Sequence, residues 1–205
     1  MTFYRSKPPR EHDKAFNLTI LWYVARYRHR LVGVYYFPDT NNLHPVLDLE
    51  PGTLPKSFFE EIDDYELRDA VEMICIPRCG ACCEVNAGGF VFDFEARALG
   101  LDPSSLRCED IELLNGVKTR ICELPSRRGR CIFYDVAKRI CRVHSSKPTI
   151  CLVTFCSIVG RHDGRIVVRT NSSRGRPIYV PWTRDLDELA RYVRNIVLRL
   201  ATEMR

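Results

Sequence analysis

The sequence predicts an α+β protein with short antiparallel strands and hairpins and an amphipathic helix at its C-terminal end. Three observations carry this expectation. Apolar residues alternate with period two over FNLTILWYV, and β-branched and aromatic residues fill LVGVYYF soon after. Asn115-Gly116 stands between two short alternating runs, a strong hairpin signal. Leu186, Leu189, Ala190, Val193, Ile196, Val197, Leu200 and Met204 follow the i, i+3, i+4, i+7 spacing of one helix face.

In chain order, Phe16, Leu18, Ile20, Trp22 and Val24 read as one face of a strand. A polar break at Tyr27 to Arg30 separates it from a second, antiparallel strand at 31–37. Pro38 to Pro55, rich in Pro, Asn and Asp, reads as a loop. Phe58, Phe59, Ile62, Leu67, Val71 and Ile74 then fit one face of a helix from Pro55 to about Met73, feeding into Cys75. Phe92 to Leu99 reads as a short helix with Asp93 as N-cap and Gly100 as stop.

In the hairpin over 108–124, a two-residue turn at Asn115-Gly116 pairs Leu114 with Val117. Cys108 then opposes Glu123 and Glu109 opposes Cys122, so the two cysteines point to opposite faces. That register disfavours a disulfide between them unless a bulge intervenes. A second hairpin spans 130–143. Pro148 opens a helix through PTICLVTFCSIV, Arg165 to Thr170 reads as a strand, and NSSRGRP as a loop. Asp185 and Glu188 suit the capping box of the last helix. Three stretches result: 1–74 (strand pair and helix), 75–156 (cysteine-rich) and 157–205 (basic strand, loop and helix). No long linker separates them, so they are expected to form one globular unit.

The 205 residues, 45% of them hydrophobic, suffice for one core. The longest apolar runs fall well short of the ~20 residues of a membrane span, and no secretory signal opens the chain, so a soluble, cytoplasmic protein is expected. Ten cysteines are too many for ordinary core filling, and clustered thiols in a reducing compartment favour metal binding or catalysis. The absence of Gln and the excess of Arg over Lys hint at a thermophile, in whose cytosol disulfides do occur. The net charge of +5 is uneven: residues 157–205 hold 10 basic and 5 acidic side chains. Arg161, Arg165, Arg169, Arg174 and Arg176, near Tyr179 and Trp182, are the candidates for contact with RNA. An ordinary solvated arginine surface is the competing reading.

Eight cysteines form two groups: Cys75, Cys79, Cys82 and Cys83, then Cys131, Cys141, Cys151 and Cys156. Thiolate is a soft donor that zinc and iron–sulfur clusters take four at a time, so eight fill two sites, or one site with thiols to spare. Gly80 tolerates the positive φ that turns backbone N–H groups toward sulfur. The neighbours Cys82 and Cys83 cannot easily aim both sulfurs at one tetrahedral centre. Taken alone, Cys75, Cys79 and Cys82 have the spacing of a radical-SAM motif. Ala81 stands where an aromatic is usual there, and the chain beyond is too short for the barrel those enzymes use.

From Cys75 to Cys156 the sequence resembles the YkgJ-like cysteine-cluster proteins, the CxxCxxCC family of zinc- or iron-chelating domains. The matching residues are Cys75, Cys79, Gly80, Cys82, Cys83, the Asp93-Phe94-Glu95 segment, Gly129, Cys131, Phe133, Asp135, Cys141, Pro148 and Cys151. The first gap is three residues instead of two, His144 stands where Tyr is common, Lys147-Pro148 replaces Arg-Pro, and Cys151-Leu152 replaces Cys-Arg. The stretch is also similar to the cysteine-rich part of flagellin lysine methylases, without their Gly-rich methyl-donor loop.

The resemblance implies metal chelation, by a [4Fe–4S] cluster or Zn2+, in a small irregular domain stapled by the metal. Three functions stay open: a metal-binding or redox module, a metalloenzyme acting on a protein or small molecule, and an RNA- or ribosome-associated factor. No catalytic set is recognisable. Asp93, Glu95 and Asp135 read as capping or turn residues, His144 as a solvated loop histidine, and the roles of Cys108 and Cys122 stay open.

Overall fold

The computed structural model describes residues 1–8, 13–37, 42–63, 70–71, 80–84, 89–153, 157–162, 165–170, 178–181 and 185–202. Helices and short antiparallel strands make an α+β fold, as expected. The first layer is a five-stranded antiparallel sheet of order β4-β1-β3-β2-β5. Its strands are β1 (Thr2–Ser6), β2 (Leu31–Phe37), β3 (Asn42–Leu49), β4 (Phe59–Ile62) and β5 (Ala70–Val71).

Between β1 and β2 lies α1 (Lys14–Arg26), a helix where the period-two pattern predicts a strand. Packing explains the misreading. Phe16, Ile20 and Val24, spaced by four, join Tyr4, Leu47, Leu49, Leu54, Phe58 and Phe59 in a core against the sheet. Leu18, Leu21, Trp22 and Ala25 lie on the opposite side, with Phe92, Leu113 and Ile121. A helix buried on two sides is apolar almost all round, so alternate residues also read apolar. The Asp13 side chain caps it by accepting from the Phe16 N–H at 2.9 Å.

Two further expectations are corrected in this layer. The Pro- and Asn-rich stretch expected as a loop contains β3, which pairs with β1 on one side and β2 on the other. Its buried residues His44 to Leu47 show that burial outweighs turn-prone composition. Of the helix expected from Pro55 to Met73, residues 55–59 form one turn, in which the Phe59 N–H donates to the Pro55 carbonyl at 3.1 Å, while residues 64–69, 72 and 73 lie outside the described residues. The chain then pairs with the free edge of β1, from Phe3↔Ile62 to Ser6↔Phe59.

Behind α1 sits the second layer, preceded by the single turn α2 (Ala81–Glu84). Strands β6 (Phe90–Phe92), β7 (Cys108–Glu112) and β8 (Lys118–Glu123) form a sheet of order β6-β8-β7, and α3 (Asp93–Ala98) follows β6 directly. The hairpin forms, but its loop has three residues. The Leu113 N–H donates to the Val117 carbonyl at 2.9 Å, the Gly116 N–H to the Leu113 carbonyl at 2.9 Å, and Gly116 takes a φ of 78°.

That extra loop residue shifts the register by one and places Cys108 opposite Cys122. The flanking pair is hydrogen-bonded through the Glu123 N–H and the Arg107 carbonyl. The cysteines therefore occupy a close-approach pair, with Cα atoms 4.0 Å apart, and form a disulfide. The expectation that the register disfavours this bond is overturned.

Two tight hairpins follow, β9 (Ser126–Arg127) with β10 (Arg130–Cys131) and β11 (Tyr134–Asp135) with β12 (Ile140–Cys141). The first turns at Arg128-Gly129, both at positive φ (54° and 71°), as a type I′ turn demands. Helix α4 (Thr149–Val153) starts after Pro148 as expected, but Ser157 to Val159, expected to continue it, belong to a strand. Strands β13 (Ser157–His162), β14 (Arg165–Thr170) and β15 (Ile178–Pro181) make a third antiparallel sheet.

The C-terminal helix α5 (Leu186–Thr202) buries Leu189, Ala190 and Val193, as its spacing predicts. The Asp185 carboxylate accepts from the Asp187 and Glu188 N–H groups at 3.0 Å each. Among the described residues, no helix is long and apolar enough to cross a membrane.

Candidate metal centre

Four separate pieces of chain deliver thiols to one place. Cys82 and Cys83 sit on α2, Cys131 ends β10, Cys141 ends β12 and Cys151 lies in α4. All five are free thiols of intermediate exposure. The Cys83 thiol interacts with the side chains of Cys131, Cys141 and Cys82. Carbon atoms of Cys131, Cys141 and Cys151 pack against Val91, Ala96, Cys122, Leu124 and Phe133, so the cluster has an apolar back wall.

Electrostatics divide four of the five. Hydrogen bonding to Cys131 first, then to Cys141 and Cys82, raises the Cys83 pKa and keeps its proton in place. The same contacts draw Cys131 down to about 7 and Cys141 to about 6, because a thiolate that accepts a hydrogen bond is stabilised. Burial pushes the Cys151 thiol up to about 12, and the neighbouring cluster sulfurs add to that. Of these four thiols, the two acidified ones lie on the two hairpins, while Cys83 and Cys151, at the rear, keep their protons.

The segment carrying Cys82 and Cys83 is held by its flanks. Gly80 adopts a φ of 57°, and a Cβ there would lie 2.5 Å from Cε2 of Tyr134. The turn therefore needs glycine for its conformation and for its contact with the Tyr134 ring. The Glu84 carboxylate takes a hydrogen bond from Arg194 of α5, lies 3.4 Å from the Tyr134 hydroxyl, and pairs loosely with Arg130 at 3.9 Å. Arg194 holds the Glu84 carboxyl below the usual range. Burial raises the Tyr134 pKa, so its hydroxyl keeps its proton and can donate to that carboxylate.

The rear of the cluster is fixed by Glu95, which is buried. One carboxylate oxygen accepts from the Phe92 N–H at 3.2 Å and the other from the Thr149 N–H at 2.8 Å. One side chain thus caps α3 from within and α4 from across the fold, setting the position of Cys151. The Asp93 side chain pairs with Arg97 at 3.0 Å instead of capping, so the capping role expected at Asp93 belongs to Glu95. Asp135 is a turn residue as expected, accepting from the Lys138 N–H at 3.0 Å.

Of the eight cysteines singled out in the sequence, Cys82, Cys83, Cys131, Cys141 and Cys151 converge. Cys75, Cys79 and Cys156 lie outside the described residues. The neighbouring Cys82 and Cys83 interact directly within α2. Among the described residues, no three Cys, His, Asp or Glu side chains are spaced to hold a metal ion. The geometry is that of a hydrogen-bonded thiol cluster, not of a finished coordination sphere.

His144 is exposed. Arg161, Arg165 and Arg169 fall on β13 and β14, whose side chains are outside the described ones, and Arg174 and Arg176 lie outside the described residues. Sequence reasoning did not single out Glu84, Tyr134 or Arg194. The one available signal was an acid placed directly after the cysteine pair.

Soft thiols alone, brought together from four segments and partly acidified, fit zinc or iron and not a hard cation. The family comparison agrees. Residues 74–170 match the model of the CxxCxxCC family, described as a putative zinc- or iron-chelating domain. The match spans the thiol cluster, both tight hairpins, α4 and the strands β13 and β14. No curated protein and no solved structure matches the chain.

Proposed function

Starting from the CxxCxxCC domain at residues 74–170, we propose that this protein is a metal-binding module whose centre is built on Cys82, Cys83, Cys131 and Cys141. The observation that carries the reading is the contact of the Cys83 thiol with all three of the others. A soft cation there replaces the proton that these sulfurs now share, and thiolate ligation joins α2 to both tight hairpins. Cys75, Cys79 and Cys156 are the candidates to complete the set.

Either a [4Fe–4S] cluster or Zn2+ satisfies such donors. We favour the cluster because the ligand pairs are separated by long gaps, unlike zinc knuckles. When bound, the metal acts as a cross-link in a region whose strands are two residues long, and an iron–sulfur cluster would add one-electron chemistry. The chain's own contribution is to orient the sulfurs: Gly80, Glu84 and Tyr134 fix the cysteine pair, and Glu95 fixes the rear wall.

The test is to purify the full chain without oxygen, measure bound iron and zinc, and record the visible absorption. Stoichiometric iron with a brown absorption that disappears in Cys83→Ser or Cys131→Ser is the expected result. Colourless protein with stoichiometric zinc keeps the module and rejects the cluster. Wild-type protein with neither metal, or a Cys83→Ser variant loaded as fully as wild type, overturns the reading.

A further inference from the structure

Arg127, Arg128, Lys138, Arg139 and Arg142 are exposed on or beside the two tight hairpins. The one acid between them, Asp135, accepts from the Lys138 N–H at 3.0 Å in its own turn. None of the five basic side chains forms an ion pair with a described carboxylate. The arginines of the second layer behave differently: Arg97 pairs with Asp93 at 3.0 Å, Arg107 with Glu123 at 3.4 Å and Arg120 with Asp110 at 2.8 Å. The second layer neutralises its own cations, and the hairpins leave theirs to an outside partner.

Two of the five sit where a side chain is a liability. Arg128 and Arg139 both take a φ of 54°, and they are the only non-glycine residues at positive φ among the described residues. The other positions at positive φ, from Gly52 to Gly129, are all glycine. The left-handed region disfavours any residue with a Cβ, so glycine or asparagine would stabilise both turns better than arginine does. What arginine supplies there instead is an exposed guanidinium at each hairpin tip.

The two tips share one base. The Ile132 N–H donates to the Pro125 carbonyl at 3.0 Å and the Arg142 N–H to the Phe133 carbonyl at 2.9 Å. The Arg142 guanidinium donates to the Ile132 carbonyl at 2.7 Å, tying the second hairpin to the chain that leaves the first. Its remaining donors stay exposed.

We propose that these hairpin tips bind the phosphodiester backbone of single-stranded nucleic acid without reading its bases. The planar fork of arginine matches phosphate through two parallel hydrogen bonds. A flexible chain of regularly spaced phosphates follows two separate tips, whereas a folded acidic partner must match their spacing. The exposed apolar side chains between them, Ile132 and Val136, are aliphatic. No exposed aromatic ring is there to stack on a base or to anchor in a lipid headgroup layer. None of these residues is among the arginines that the sequence singles out for RNA contact. The proposal is independent of the metal-binding reading, because no thiol takes part in it.

The full chain, purified without oxygen, is titrated at several salt concentrations into a fluorescein-labelled RNA of about 20 nucleotides and into DNA of the same sequence. Both should bind, within about threefold of each other, with an affinity that falls steeply as salt rises. In one double variant, Arg128→Asn with Arg139→Gly, each tip receives a residue that its turn prefers. Its melt should match or exceed that of wild type, while affinity falls on the order of tenfold and the salt slope by about 1.4, for two lost phosphate contacts. A second double variant, Arg107→Ala with Arg120→Ala, removes the same charge from paired positions and should bind within about twofold of wild type.

A wild type that binds neither probe, binds without salt dependence or binds RNA but not DNA overturns the proposal. So does a tip variant as tight as wild type, or an equal loss in the two double variants. If the tip variant melts below wild type, Arg127→Ala with Lys138→Ala takes its place under the same criteria. Vesicles of phosphatidylserine and phosphatidylcholine that bind where RNA and DNA do not would assign the tips to a membrane surface and overturn it as well.

Discussion

Around the five-stranded sheet, Val24, Val34, Val46 and Leu47 are wholly shielded from solvent and Phe59 is nearly so. Between Ser126 and Val153, by contrast, only Phe133 and Tyr134 among the large apolar side chains are buried, and the strands are two residues long. The first region has enough apolar surface to fold by burial alone. The second is a set of turns with almost no core of its own, joined by sulfur contacts and backed by the disulfide of the neighbouring hairpin. A chain that cannot bury much must be cross-linked, and a thiol cluster that takes up metal is one way to do it.

The largest single effect that would sharpen this contrast is Leu47→Ala. A cavity in the sheet core is expected to cost about 4 kcal/mol in urea unfolding, while the reactivity of the five thiols toward an alkylating agent in the native state stays unchanged. Thiols that open together with the core would mean that the two regions are not stabilised separately.

Acid should also strike the first region selectively. Burial lowers the pKa of His44, whose Nδ1 lies 2.9 Å from the Ser6 hydroxyl, from 6.5 to about 4. Between those values the unfolded chain holds a proton that the folded chain lacks. Stability is therefore intact above pH 6.5 and falls as pH drops toward 4, by about 3 kcal/mol in all. His44→Gln should flatten that slope in denaturant titrations at several pH values. A slope unchanged by the substitution would assign the acid sensitivity elsewhere.

Next in size is the disulfide. Replacing Cys108 and Cys122 by Ala releases a link spanning 14 residues and should cost about 2 to 3 kcal/mol. Hydrogen exchange should speed up in β7 and β8 and remain slow in β1 and β3. The smallest effect, about 1 to 2 kcal/mol, is expected for Glu95→Gln, which leaves the Phe92 or Thr149 N–H without its acceptor. Its signature is local: Cys151 should be alkylated faster, with little change at Cys82. Equal acceleration at both cysteines would show that Glu95 supports the whole cluster and not its rear alone.

The sequence made the second region legible and the first one misleading. Cysteine spacing, Asn-Gly and Pro148 are local signals, and the first hairpin, the start of α4 and the converging thiols follow them. The single hairpin expected over 130–143 divides, with Arg130 and Cys131 pairing back to Ser126 and Arg127 and only 134–141 closing on itself. In α1, β3 and β4, local signals pointed to the wrong element because the deciding partner lies far along the chain. The apolar residues of α1 belong to two faces, and reading it as a helix requires knowing that a second sheet covers its outer side. The hairpin register failed over one residue in the loop, which moved Cys108 from Glu123 to Cys122. Contacts between distant segments, such as Arg194 with Glu84 and Glu95 with Thr149, leave no mark on either sequence neighbourhood.

The two-faced burial of α1 has a bearing on where this molecule can be divided. The family match begins at residue 74, yet Phe92, Leu113 and Ile121 of the matched stretch bury themselves against Leu18, Leu21, Trp22 and Ala25. Val153 of the same stretch reaches the core of the first sheet. A protein begun at residue 75 would carry the ligands but expose a greasy wall where α1 had been. The matched stretch and the packed unit therefore have different borders, and α1 belongs to the second although it lies outside the first.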